Sequence, residues 1–422
     1  MAAPASKDRA VVIGAGIGGL SAAIDLARQG VAVTVLERAP ESRETGAGIA
    51  IMPNGVLALD ALGLGAAVRE RAAAVTEPSG LRNRHGRPLL ISDQARVAEA
   101  VGAPFAVVPR RWLNRLLVDA LPEGTIRWGH PVTTVAGHHA DVLVVADGAH
   151  SRLRAALFPG HPGLRGSGEI AARAIVPRPV APLACGELLD HRTGARFGCM
   201  PMSDDAVYWY ATWPENADSP CRKRRLAVPE MTTRLTGGGG TATGGPGGPD
   251  GPDGSDGSDG SDGSDGPGGS DELRRWLRDD RADWHPSVAP LIDAATEIHV
   301  VETAQLVRPL PALAVGRVAL LGDAAHAMTP DLGQGACQAF EDAVALASVL
   351  DTDVPAALAR YDALRRPRTS ALQRQCRQMH RVLTLRGPAG RLRDAVLRRV
   401  PTRFATRTLA AQMGFTPQPV LH

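Results

Sequence analysis

The segment RAVVIGAGIGGLSAAIDLARQGVAVTVLER, residues 9–38, constrains this chain more than any other. Ala10 to Ile13 form a short uninterrupted apolar run, as a parallel strand covered on both faces requires. Leu20, Ala23, Ile24 and Ala27 then recur at helical spacing and supply one stripe for packing on a sheet. Gly30 stops the helix, and Val31 to Leu36 reads as the next strand. The order predicts a right-handed crossover unit, and with it an α/β domain built on a parallel sheet.

Between the first strand and the helix stand Gly14, Ala15, Gly16 and Gly19 in a GxGxxG pattern. Gly14 permits the tight turn, Gly16 lets the backbone approach a pyrophosphate, and Gly19 allows helix and strand to pack closely. The opening of the helix offers unpaired N–H groups and a positive dipole end to phosphates. Glu37, after the second strand, is placed to accept hydrogen bonds from a ribose diol. A carboxylate there disfavours a 2′-phosphate, so FAD or NAD is expected rather than NADP. Arg38 either covers the adenine edge or is solvated.

A second stretch, RVALLGDAAHAMTPDLGQGACQAFEDAVAL from Arg317 to Leu346, separates the two dinucleotides. Asp323 follows Gly322 at the carboxyl end of an apolar strand, where open parallel sheets bind ligands. Its carboxylate suits ribityl hydroxyls, which NAD lacks, so FAD is the expected cofactor. Gly333, Gln334 and Gly335 open a helix running toward Leu350, whose free N–H groups favour the N1–C2=O edge of a reduced flavin. His326 is expected to act locally in structure.

The organisation of the rest follows from composition. With 422 residues, 44% hydrophobic and 22% charged, the chain has the make-up of a globular protein with room for two domains. A net charge of +3 gives no global reason to bind nucleic acid, although Arg360 to Arg407 is locally basic, either as a solvated face or as an attractor of anionic NAD(P)H or substrate. Five scattered cysteines without a C-x-x-C pair argue against a zinc site or a disulfide framework, and no metal is expected. No apolar leader and no membrane span are legible, so a cytoplasmic protein is expected. Residues 1–165 read as the first half of a Rossmann-like FAD-binding part, 166–310 as an inserted, mainly antiparallel substrate domain, 311–350 as the second FAD-binding half and 351–422 as C-terminal helices. Within the substrate domain, residues 236–271 read as a disordered Gly-Ser-Asp loop, with order resuming at Leu273; the repeat lacks the interleaved apolar residues of a calcium-binding solenoid.

The chain resembles the class A flavoprotein monooxygenases, the para-hydroxybenzoate hydroxylase-like family of FAD-dependent aromatic hydroxylases. GAGIGG with Glu37, ADGAHSRLR around Asp147 and Gly148, and GDAAHAMTPDLGQGACQAFEDA from Gly322 carry the likeness over all but the Gly-Ser-Asp loop. The resemblance implies that Asp147 serves the FAD pyrophosphate region and transient NAD(P)H docking, and that Arg110, in VPRRWLNRLLVDAL, contacts FAD. It also implies that the segment containing Gly48 passes beside the flavin and that Pro330 shapes the face where oxygen is transferred. The implied cycle reduces FAD with NAD(P)H, adds O₂ to give a flavin C4a-hydroperoxide, and hydroxylates an aromatic or similarly electron-rich small molecule. Epoxidation or Baeyer–Villiger oxygenation on the same scaffold is the alternative, followed by FAD binding without turnover. One departure is the short VAGHHAD stretch before the Asp-Gly strand, where the family carries a strand pair.

Substrate recognition is less legible. AVYWYATW alternates, which puts Tyr208, Tyr210 and Thr212 on one face and Val207, Trp209 and Trp213 on the other. Tyr208 or Tyr210 lines the substrate pocket and polarises a phenol, or packs in the sheet. His191, Met200 and Gln305 are further pocket candidates. A general base is not assigned, and a monomer or homodimer is expected.

Overall fold

The computed structural model describes residues 9–42, 47–73, 75, 77–178, 186–203, 205–215 and 267–415. Strand Arg9–Ile13 lies inside a six-stranded sheet ordered Ala314–Val315, Val318–Leu320, Val142–Val145, Arg9–Ile13, Ala32–Leu36 and Ile126–Arg127. All pairings are parallel except the one at the Ala314–Val315 edge. Its inner strands are apolar on both faces because helices cover both sides.

The consequence for the site is a matter of register. Three neighbouring parallel strands end at one level: Ala146 donates its N–H to Ile13 O (2.9 Å), and Leu321 donates to Val145 O (3.1 Å). Gly14, Asp147 and Gly322, far apart in sequence, therefore leave the sheet side by side. Helix Ile17–Arg28 then packs against helix Gly335–Val349 over Gly18, where an added Cβ would stand 2.7 Å from Leu321 Cδ1 and 3.3 Å from the Ala339 Cβ.

Helix Gly335–Val349 is buried almost all round, yet it carries Glu341 and Asp342. Asp342 Oδ2 accepts the Gly322 N–H (3.0 Å) and pairs with His326 Nε2 (2.6 Å), while Oδ1 accepts Arg365 Nε (2.7 Å). Glu341 accepts from Arg365 Nη1 and Arg368 Nε, both at 2.6 Å, and from Asn54 Nδ2 at 2.8 Å. Burial alone would raise the Asp342 carboxyl, but His326 and Arg365 outweigh it and hold it at about 2. The network ties the Gly-Asp turn to helix Val354–Leu383. His326 is thus a structural partner of Asp342.

A second sheet of seven strands is ordered His299–Leu306, Leu164–Pro177, Ala206–Pro214, Arg196–Pro201, Gly186–Leu189, Ser79–Asn83 and Pro88–Ser92. It is antiparallel apart from the pairing of Gly186–Leu189 with Ser79–Asn83. Two of its strands come from ahead of residue 166, so this sheet is not one continuous insertion. Alternation along Ala206–Pro214 sends Trp209 and Trp213 into a core with helices Pro267–Asp280 and Val288–Asp293, where Trp209 stacks on Phe197 at 5.5 Å. The other face carries Tyr208 and Tyr210 toward the first sheet.

The expected loop 236–271 needs correction at its end. Helix Pro267–Asp280 starts five residues earlier than that loop allows, with proline at its first position, where a missing N–H costs nothing. Residues 236–266 lie outside the described residues, as do Cys185 and Cys221; Cys199 is buried, and Cys337 and Cys376 are free and buried. The prolines of the C-terminal part divide similarly. Pro355 and Pro388 open helices Val354–Leu383 and Gly387–Leu397, and Pro401 caps Thr402–Gln412, whereas Pro367 is accommodated inside a helix. Among the described residues no helix is long and apolar enough to cross a membrane.

Asp342→Asn is expected to cost about 3–5 kcal/mol, because it leaves the buried Arg365 guanidinium short of a counter-charge. Urea unfolding of the two proteins checks this. A loss below about 1 kcal/mol, the range of exposed ion pairs, would show that Asp342 does not hold the turn.

Candidate active site

Two cavities open at the carboxyl end of the six-stranded sheet. The first, about 1020 Å³, is lined by Gly14, Ala15 and Gly16, by Glu37 and Arg38, and by Asp147. The second, about 600 Å³, lies between the sheets and is lined by Gly48, Tyr208 and Tyr210, by Gly322 and Asp323, and by Pro330 with Gly333, Gln334 and Gly335. Gly16, Ile17, Arg110, Ala146, Gly148, His299 and Val301 belong to both walls, so the two spaces adjoin along a common neck.

The glycine turn is shaped by contact. Gly14 has φ +106°, and a Cβ there would run into the Ala146 carbonyl. At Gly16, which precedes the first turn of the helix, a Cβ would meet nothing within 4 Å, and no side chain caps the helix N–H groups. Gly19 lines neither cavity. A Cβ there would strike the Gly14 carbonyl, so its part is to let helix meet strand, and it is set aside as a direct contact. Glu37 Oε2 accepts the Ala15 N–H (2.7 Å) and Oε1 the Ala39 N–H (2.9 Å), which fixes its carboxylate at the cavity edge.

The donor set fits an extended dinucleotide. Free N–H groups and open space meet at Gly16, Asp147 Oδ1 is buried with no partner, and a second uncapped helix start at Gly335 faces the other cavity. Diphosphate, ribityl and ring ends of FAD would find, respectively, helix N-terminus, carboxylate and glycine-lined helix start. Arg154, in the ADGAHSRLR stretch but unassigned from sequence, joins the two halves. Its Nη1 donates to Ala324 O (3.2 Å) and Asp323 O (3.4 Å), and its Nη2 donates to Ala149 O (2.7 Å).

Around the second cavity the wall is more highly charged than the sequence suggested. Arg196 donates to Glu169 Oε2 (2.6 Å) and Asp331 Oδ1 (2.8 Å) and lies 3.2 Å from Glu187 Oε1. Burial raises the Glu187 carboxyl although Arg196 opposes it, and the Tyr210 hydroxyl is itself pushed up by burial and by the nearby Glu187. Tyr208 is raised by burial against the pull of Arg173 and Arg110. Arg110 is lowered by burial while Asp323 supports its charge. His380 Nδ1 stands 3.3 Å from Asp331 Oδ2 and 3.8 Å from Glu169 Oε2.

Sequence reading missed Glu187 and Arg196, each the one charged residue of its strand, and Arg173, which lies in the apolar second half of strand Leu164–Pro177. That pattern was the available signal. Met200 does line the second cavity. His191 and Gln305 line neither cavity, and both are withdrawn as pocket residues. His191 lies beyond the end of strand Gly186–Leu189, with Nδ1 3.5 Å from Asp394 Oδ2 and its carbonyl accepting the Gly387 N–H. Gln305 follows an irregularity at Glu302/Ala304 and pairs with Arg165, past the point where His299 and Val301 border the cavity.

Residues 8–142 and 293–376 match the family described as FAD binding domain. The chain is 32% identical to 3-amino-4-hydroxybenzoate 2-monooxygenase PtnB3 of Streptomyces platensis, covering 98% of each chain. It is 30% identical to the FAD-dependent urate hydroxylase of Klebsiella pneumoniae, over 88% of this chain and 89% of that one. In three dimensions it is similar to the crystal structure of Klebsiella pneumoniae HpxO complexed with FAD and uric acid, with a TM-score of 0.77, 27% identity and 96% of both chains covered.

The His380 cluster makes stability depend on pH. Burial lowers His380, but the Asp331 carboxylate 3.3 Å from its Nδ1 and the charge of Glu169 raise it above 6.5 overall. A raised folded-state value means that the contribution is complete below pH 6.5 and disappears as pH climbs through the higher value. His380→Gln should therefore lose about 1.5–3 kcal/mol below pH 6.5, with a gap to wild type that narrows as pH rises. Chemical unfolding across that range checks it; a gap constant with pH would contradict it.

Proposed function

We propose the setting of the reaction from one premise: this chain belongs to the family of FAD-dependent aromatic monooxygenases. It binds FAD and is a hydroxylase whose co-substrates are NAD(P)H and O₂. When bound, FAD would accept the reducing equivalents of NAD(P)H and supply the oxygen-activating ring; the residues below bind, orient and exclude water.

In this reading Gly16 and the first turn of helix Ile17–Arg28 hold the diphosphate, with Glu37 at the ribose and Arg38 beside it. Asp323 holds ribityl hydroxyls, and Gly48, Arg110, Pro330 and Gly333 to Gly335 surround the ring system. The helix start at Gly335 stabilises negative charge on the reduced ring. Asp147, with its unpartnered oxygen, serves the diphosphate region and the passing NAD(P)H.

The substrate we assign is a compact aromatic ring bearing a hydroxyl or ring nitrogen, as the names of the relatives describe for theirs. The observation that carries this is the face formed by Tyr208, Tyr210 and Thr212, which shares one cavity with the Gly333–Gly335 helix start. Tyr210, backed by Glu187, donates to or accepts from the ring hydroxyl and helps move its proton. Arg173 gives an anionic ring a cation on the same wall. Met200, Met52 and Leu372 provide the apolar remainder and keep water from the reacting face. A cytoplasmic location belongs to the same reading.

Substrate-stimulated NAD(P)H oxidation over a panel of hydroxylated aromatic and heteroaromatic rings, with product masses, tests the proposal. A product heavier by one oxygen supports hydroxylation, and oxidation that never leaves an oxygenated product contradicts it. Tyr210→Phe is expected to lower kcat about 10²-fold with FAD retained, and unchanged kcat would remove Tyr210 from the mechanism. Asp323→Ala should weaken FAD binding by roughly tenfold to a hundredfold; equal flavin affinity would undo that assignment.

A further inference from the structure

Helices Gly387–Leu397 and Thr402–Gln412 carry an outward face that neither the fold nor the site explains. Leu392 is 66% exposed, Phe404 62% and Val396 54%, more than any other large apolar side chain among the described residues. Val382 and Leu385 adjoin them in sequence and are exposed too. Spacing puts Leu392 and Val396 one turn apart on a single stripe that continues at Arg399. Single exposed apolar residues are ordinary; a cluster of five within 23 residues of chain is not.

The charge around them is one-sided. Between Arg381 and Arg407 the sequence holds eight arginines and a single acidic residue, Asp394. Asp394 is buried and already paired with the buried Arg393 at 2.8 Å, leaving the other seven arginines on the exposed side. Arg398 and Arg399 follow the Val396 turn, and Arg403 precedes Phe404, so exposed cations neighbour the exposed apolar residues along the chain. The inward side of the second helix is of the opposite kind: Thr406 accepts the Asp93 N–H, and Met413 is buried just past the helix end.

We propose that this face docks the protein on an anionic lipid bilayer, with Leu392, Val396 and Phe404 entering the headgroup region and the surrounding arginines meeting lipid phosphates. Short amphipathic helices with bulky apolar groups among basic ones lie in the interface plane and span nothing. A second copy of the chain is a poorer occupant, since two such faces would bring like-charged arginines together. The inference stands apart from the proposed function. It does acquire a use from the fold, because Leu409, Gln412 and Met413, at the end of the docking helix, line the second cavity. A bilayer on the outer face would then lie close to that cavity and to any apolar ring dissolved in it.

Sedimentation of the FAD-loaded protein with vesicles of phosphatidylcholine alone, and of phosphatidylcholine with phosphatidylglycerol, tests this. We expect binding to the anionic vesicles only, weakened by salt. The surface double variant Leu392→Ser/Phe404→Ser and the charge variant Arg398→Glu/Arg399→Glu should each reduce it about tenfold or more, with FAD content unchanged. Failure to sediment with anionic vesicles, or equal sedimentation of wild type and the Leu392→Ser/Phe404→Ser protein, would overturn the proposal. So would a wild-type dimer that this variant dissociates without any vesicle binding, which would give the face to a second copy.

Discussion

The contact on which the rest depends is the approach of the Gly14 turn to the backbone at Ala146. Parallel strands Arg9–Ile13 and Val142–Val145 end together, and the chain leaving the first must bend at once to avoid the carbonyl of the second. Only a residue without a Cβ makes that bend at φ +106°. Once made, it aims helix Ile17–Arg28 back along the sheet with its uncapped N–H groups over the strand ends. The Gly-Asp turn beside it is fixed by a different force, the buried carboxylate of Asp342. A steric constraint on one strand and an electrostatic one on another thus define a single crevice.

The second sheet closes that crevice with chemistry of another kind. Its inner face is not an apolar lid but a buried array in which Arg196 is shared among Glu169, Glu187 and Asp331, with His380 at the outer end. Such an array is costly to break from either side and hence holds its geometry. Tyr208 and Tyr210 project from the strand directly paired with the one that bears Arg196, Met200 opposite Tyr208. Helix Val354–Leu383 links the two regions, pairing Arg365 with Asp342 of helix Gly335–Val349 and placing His380 near Asp331 and near Glu169 of the second sheet.

Much of the first sheet was legible because its signals are local: a four-residue apolar run, glycines at fixed offsets and a helical stripe all fall within thirty residues. The alternation of Tyr208, Tyr210 and Thr212 against Trp209 was legible for the same reason, since a strand's two faces follow from period two alone. What escaped was non-local. Ser79–Asn83 and Pro88–Ser92 join the second sheet through a parallel pairing across about a hundred residues of sequence, which no pattern within either strand announces. Glu187 and Arg196 look like surface residues until the pairing of their strands turns both inward. His191 and Gln305 failed by the reverse route, being plausible by type but carried past the cavity by a strand's end and by an irregular register.

The central claim is that one FAD molecule runs through the neck at Gly16 and Arg110, its two halves in the two adjoining cavities. The most direct measurement is a crystal structure of the chain grown with FAD. The account predicts the adenosine and diphosphate between Glu37 and Gly16, the ribityl chain at Asp323, and the ring system beside Gly333 to Gly335 with Tyr210 across the remaining space. Flavin found with its ring away from Asp323 and the Gly335 helix start, or bound outside the neck, would contradict it.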